Sequence, residues 1–205
     1  LAVSAHAQII APRYPLAPEH PFPAAPRHIS KAYKALAAHR VHLKLDAARL
    51  AVVGESAGGN LAATLIPVFG EANCIPRVQV LVHPLLDLAG MQPSRLASTP
   101  IVSNAAIRAS IDRYLAGANP LDPLASPLYS NELHKAPPTV IAAGSLDPVL
   151  DECRVYAKRL SDADVPVTFL IADELPHGFL QLAGSLDSGM DMLRALGAVI
   201  AGRLE

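Results

Sequence analysis

The sequence is poor in the features that mark several large functional classes. Charged residues make up 17% of its 205 positions and nearly cancel, 17 basic against 18 acidic, for a formal net charge of −1. It therefore offers no basic field to hold nucleic acid and no polybasic patch for a membrane surface. Two cysteines, Cys74 and Cys153, form no C-x-x-C pair and are too few to staple a chain of this length. Both read as free thiols of a protein in a reducing, cytoplasmic compartment. No H-E-x-x-H motif provides for a metal, and no cofactor is expected. No apolar run reaches the length of a membrane span, and no basic segment with an apolar core opens the chain as a secretion signal would. The chain starts at Leu1 rather than methionine, which leaves room for an upstream segment.

What is abundant is apolar. Hydrophobic residues make up 51% of the chain, enough for one sizeable core, so residues 1–205 read as a single domain suited to a small, uncharged substrate. Residues 1–7 resemble the end of a helix, and 8–12 a short buried strand closed by Pro12. Four prolines between Tyr14 and Pro23 exclude helix there and favour an extended connector. Ala25, Ile29, Ala32, Tyr33 and Leu36 recur at helical spacing over 25–40. A strand over 50–53 leads to a helix that runs from Ala57 to about Ile66, where Pro67 should end or kink it. Further strands are expected at 78–82, 139–144 and 167–171. Helices are expected at 103–115, at 150–163 with Cys153, Tyr156, Ala157 and Leu160 inward, and at 188–204 burying Leu193, Leu196, Ile200 and Leu204. Alternation of strands and helices implies an α/β fold, a parallel sheet covered on both faces. The long stretch at about 85–137 holds one helix and no strand, and reads as an excursion over the site.

The chemistry centres on Gly54-Glu55-Ser56-Ala57-Gly58, a G-x-S-x-G set directly between strand and helix. In a nucleophile elbow the chain turns at the serine itself, which strains that residue and holds its Oγ above the sheet. Gly54 and Gly58 are then expected where a Cβ would collide as the two backbones converge. A chance match is the alternative, and the flanking strand and helix argue against it. A serine hydroxyl needs a base oriented by a carboxylate before it can attack. Of the eight histidines only His177 follows the last strand. His28, His39 and His42 read as surface residues, His20 sits in the proline connector, and His83 ends a strand. Asp147, just past the strand at 139–144, is the candidate acid, with helix capping as its other reading and Asp151 next in line. Asp151 and Glu152 suit the first helical turn as dipole partners. Asp122 precedes a proline but follows no strand.

Together these residues resemble the bacterial hormone-sensitive-lipase-like family of α/β-hydrolase esterases from about Tyr14 onward. The resemblance rests on residues 16–25, 54–62, Asp122-Pro123-Leu124-Ala125-Ser126-Pro127, Asp147-Pro148-Val149-Leu150-Asp151-Glu152 and His177-Gly178-Phe179. It implies Ser56 as nucleophile, His177 as general base and acid, Asp147 as orienting carboxylate and the Ala57 backbone N–H as an oxyanion donor. The implied reaction is hydrolysis of small carboxylic esters with short to medium acyl chains. A non-catalytic ligand binder or inactive fragment, and a serine peptidase on the same fold, are the alternatives. The family carries an H-G-G-G oxyanion loop roughly seventy residues before its serine. With Ser56 so near the start, that loop, the N-terminal cap and the first strands are expected to be missing. Turnover by residues 1–205 alone should suffer, since one lost oxyanion donor costs on the order of 10²–10³ in rate. A gap is likewise expected in mid-sheet, between 8–11 and 50–53. Pro15 stands where the family usually has arginine. The strand at 167–171 is an expected apolar edge, and the resemblance implies a homodimer through it and the last helix.

Overall fold

Apolar runs at Ala51–Glu55 (β1), Val78–Val82 (β2), Thr139–Gly144 (β3) and Val167–Ala172 (β4) form one parallel sheet in the order β1-β2-β3-β4. The computed structural model describes residues 1–90, 92–96 and 102–205; the expected excursion at 85–137 thus includes residues 91 and 97–101, which lie outside the described residues. All five residues of β2 and all six of β3 are buried, as strands covered on both faces must be.

The period of two divides those strands between two cores. Val78, Val80, Val82, Val140 and Ala142 face α6 (Asp187–Leu204), where they meet Leu196, Ile200 and Leu204. Leu81, Ile141 and Ala143 point the other way, into a larger core. That core is closed by α1 (Ala24–Ala38), α2 (Ala57–Ala63), α3 (Ile66–Glu71) and α5 (Leu150–Asp162). Ile107, Ile111 and Leu115 of α4 (Asn104–Leu115) form a third, smaller cluster with Leu88 and Ala125 beneath the excursion.

Several expectations require correction. Residues 2–6 are turns and not the end of a helix: Ala5 N–H donates to Leu1 O, but His6 takes a left-handed φ of 47°. Ala5 still packs on the α6 side of the sheet. Residues 8–12 are exposed coil rather than a buried strand, with Ile9 54% and Ile10 44% exposed. A strand exists only as one of a hydrogen-bonded pair, and the described residues supply 8–12 with none. Among the described residues the sheet accordingly has no gap and ends at β1. The helix after Ser56 stops at Ala63, and Pro67 opens α3 instead of ending α2, in the first turn where its missing N–H costs nothing. Leu193 is half-buried.

Asp151 and Glu152 do stand in the first turn of α5, as expected, but Glu152 has a second role. It is fully buried, accepts hydrogen bonds from Leu86 N–H at 2.7 Å and Arg95 Nε at 2.9 Å, and pairs with Arg95 Nη2 at 2.8 Å. This network ties the chain after β2 to the start of α5. Burial pushes the Glu152 carboxyl up from 4.5 to about 7, against the pull of Arg95. With the folded-state value raised, its contribution to stability is fully present below about pH 4.5 and is lost as pH rises through about 7. Glu152→Gln should flatten that slope in urea-unfolding midpoints measured from pH 4.5 to 7; a slope identical to the parent's would assign it to other groups. Arg95→Ala, which strands a buried carboxyl, should cost about 3–5 kcal/mol at neutral pH.

Candidate active site

The backbone sets Ser56 in place. It has φ 54° and ψ −117°, a conformation that side chains rarely adopt, and its N–H donates to Val82 O at 2.9 Å. The turn is possible because β1 and α2 nearly touch: a Cβ on Gly54 would lie 2.2 Å from Gly58 O and 2.8 Å from Gly59 Cα. Gly58 departs from expectation, since a Cβ there would meet nothing within 4 Å. Its carbonyl is the part that presses on Gly54. Gly59 is the second crowded position, with Pro84 Cβ 2.8 Å from an added Cβ.

His177 reaches Ser56 from the loop after β4, and its Nε2 is 2.8 Å from Ser56 Oγ. Its Nδ1 lies 3.0 Å from each carboxylate oxygen of Asp147, which stands just after β3. A carboxylate only accepts, so Nδ1 carries the proton and leaves the Nε2 lone pair facing the serine hydroxyl. Asp147 and His177 are 2% and 7% exposed. Asp147 Oδ1 also accepts Val149 N–H at 2.9 Å ahead of α5, so the capping reading and the orienting geometry hold together. The two loops are stitched by Leu146 N–H to Leu175 O and Glu174 N–H to Ser145 Oγ. Asp151 binds Ser94 N–H and Arg154, and Asp122 accepts Leu124 N–H; neither engages His177. Ala57 is the first residue of α2, where a helix leaves its N–H groups without intrahelical acceptors.

Ser56, His83, Val102, His177, Gly178, Gln181 and Leu182 line a mainly apolar cavity of about 140 Å³. Sequence reasoning missed His83 and Gln181. His83 is fully buried, with its ring 4.3 Å from that of His177 and its Nε2 3.4 Å from Glu55 Oε1. Its place at the carboxyl end of β2 was the available signal, because reacting groups collect at those ends. The Glu55 carboxyl is held below its ordinary value, chiefly by His83, with smaller contributions from His177 and Gln181 against the opposing effect of burial. Among the described residues no helix is long and apolar enough to cross a membrane.

Residues 1–181 match the family described as the alpha/beta hydrolase fold. The chain is similar to the esterase LipI of Mycobacterium tuberculosis, 36% identical over 190 residues that cover 89% of this chain and 59% of LipI. It is also similar to an ethyl acetate hydrolase of Pseudomonas putida, 31% identical over 201 residues, 94% of this chain and 63% of that protein. A solved esterase of the bacterial hormone-sensitive lipase family superposes with a TM-score of 0.90 at 30% identity, covering 100% of this chain and 68% of the other. The chain belongs to the α/β-hydrolase family and is of the hormone-sensitive-lipase-like kind, as the motifs implied. It spans 59% and 63% of the length of the two relatives.

The geometry at the elbow separates two glycines that the motif treats alike. Gly54→Ala should destabilise the fold by about 3 kcal/mol or more through the clash with Gly58 O, while Gly58→Ala should shift the thermal midpoint little. Equal midpoints for the two variants would contradict this account of the turn.

Proposed function

We propose that the chain is the catalytic part of a carboxylic ester hydrolase that cleaves short- to medium-chain esters through an acyl-enzyme on Ser56. The observation that carries this reading is the line Ser56 Oγ, His177 Nε2, His177 Nδ1, Asp147, with contacts of 2.8 and 3.0 Å. Ser56 Oγ attacks the ester carbonyl carbon while Nε2 takes its proton, and Asp147 stabilises the imidazolium that forms. The Ala57 N–H donates to the developing oxyanion. His177 then protonates the departing alkoxide, leaving the acyl group on Ser56. Water attacks that ester with His177 again as base, and the acid is released. The cavity, of about 140 Å³, suits a small acyl group. Residues 1–205 act in this reading as one domain, with the excursion at 85–137 contributing Val102 to the wall. The two buried free cysteines fit a cytoplasmic location.

A fluorophosphonate probe should label Ser56, and p-nitrophenyl butyrate should be turned over; a ligand binder of the same shape would do neither. A peptidase would instead cleave aminoacyl-naphthylamides in preference to simple esters. His177→Ala should abolish turnover, and Asp147→Asn should lower it on the order of 10⁴-fold, because the amide does not hold the productive tautomer. Near-normal turnover by a folded Asp147→Asn protein would move the acid role elsewhere.

We further propose that two copies pair through β4 and α6. β4 is an outer strand with neither lysine nor proline, and Thr168 and Ile171 are exposed. Lysine at both Thr168 and Leu170 should convert the dimer to monomer in sedimentation; an unchanged dimer would rule out this interface.

A further inference from the structure

The residue that fills the variable place before Ser56 is Glu55, and the ester chemistry above gives it no task. It ends β1, is half-buried, and turns one carboxylate oxygen toward a second histidine: Glu55 Oε1 lies 3.4 Å from Nε2 of His83. A carboxylate only accepts, so the His83 nitrogen that faces it carries the hydrogen. His83 is fully buried and stands just past β2. Its φ of 33° is positive, as is the 54° of Ser56, and its N–H donates to Ala142 O at 2.6 Å. Such a backbone is costly for a residue with a side chain, and these outliers gather where a side chain has to be aimed.

His83 is aimed at the catalytic imidazole. The two ring centres are 4.3 Å apart with planes tilted by 55°, and Phe179 closes on His83 edge-on with ring centres 5.1 Å apart. With Glu55 at one nitrogen and an aromatic ring on each of two sides, the His83 ring has little freedom to turn. Charge follows the same path. The Glu55 carboxyl is held below its ordinary value first by His83 and, more weakly, by His177 and Gln181, against the opposing effect of burial. That influence is mutual: positive charge on His177 favours the carboxylate, and the carboxylate favours positive charge on His177. The described titratable groups around His177 are Ser56 and Glu55 at the end of β1, His83 after β2 and Asp147 after β3. Asp173 and Glu174, on the loop that carries His177, are exposed.

We propose that Glu55 and His83 form a positioning pair for His177: the carboxylate holds the His83 ring, that ring keeps His177 turned toward Ser56 Oγ, and the Glu55 charge stabilises the imidazolium that forms when Ser56 attacks. Asp147 acts on the same cation from Nδ1. Two carboxylates thus share the task, and loss of Glu55 weakens the reaction without ending it. Neither member of the pair gives or takes a proton. The proposal rests on the esterase reading given above for the step at which the charge appears.

The pH dependence of kcat/KM for p-nitrophenyl butyrate tests the pair. Without the Glu55 charge the imidazolium is harder to form, both in the free enzyme and during attack. Glu55→Gln should therefore lower the plateau about tenfold and move the acid limb about one pH unit downward, so that its profile meets the parent's at acid pH. Glu55→Asp, which keeps the charge, should recover most of the plateau, and Glu71→Gln, at an exposed carboxylate of α3, should leave the profile unchanged. His83→Gln, whose amide can face Glu55 but brings no ring to His177, should lower kcat. Loss of packing alone would lower the rate by one factor at every pH with the limb in place; that result, an unchanged profile, or parent-like kcat in folded His83→Gln overturns the proposal. Circular dichroism checks the fold, and Glu55→Ala serves if Glu55→Gln does not fold. The rate at which a fluorophosphonate labels Ser56 needs His177 but no ester turnover, and its acid limb should move in the same direction. A limb that moves in a protein without ester turnover would uphold the pair and sink the esterase reading; normal turnover with a limb that stays would do the reverse, and a parent whose Ser56 is not labelled would sink both.

Discussion

The close passage of β1 over the first turn of α2 is the constraint on which the site depends. With Gly58 O only 2.2 Å from where a Gly54 Cβ would sit, the chain has no room to leave the strand gradually. It reverses at one residue, and Ser56 absorbs the whole change as a positive φ. The strain is affordable because the surroundings over-determine it: Ser56 N–H is held by Val82 O, and Asn60 N–H by Ser56 O. A hydroxyl on a freely rotating loop would not stand within 2.8 Å of an imidazole brought from 121 residues away.

The parallel sheet does the rest by putting the ends of consecutive strands side by side. Ser56 follows β1, His83 ends near β2, Asp147 follows β3 and His177 follows β4, so the four groups arrive in strand order along one edge. None needs a long side chain or an unusual loop. The same geometry concentrates charge: two carboxylates and two imidazoles share a small volume.

Much of this was legible in the sequence because it follows from local rules. Three strands match their expected ranges within one residue at each end, since runs such as Val78–Val82 are largely apolar and bounded by turns. Ser56, Asp147 and His177 were picked out because each sits just after such a run. What was not legible depends on contacts between distant residues. Residues 8–12 have the composition of a strand, but pairing is a property of the neighbour and not of the segment. Glu152 suits a helix start in any sequence; that it is buried against Arg95 depends on where the excursion folds back. His83 reads as an ordinary strand end until β4 delivers His177 beside it. The steric role that the motif suggests for Gly58 belongs to its carbonyl, a distinction that letters in a motif do not carry.

Asn60 follows the serine by four residues, and its side chain touches nothing that reacts. Its amide nitrogen donates to Leu85 O and to Ala125 O, each at 2.7 Å, and so fastens the elbow helix to the start of the excursion and to a later turn of it. Aspartate has the same shape and no hydrogen to give; serine has one. Position 60 thus favours asparagine for reasons of joinery. A motif read as a signature of chemistry is in part a signature of assembly, and a protein that had abandoned the reaction would still be obliged to spell it.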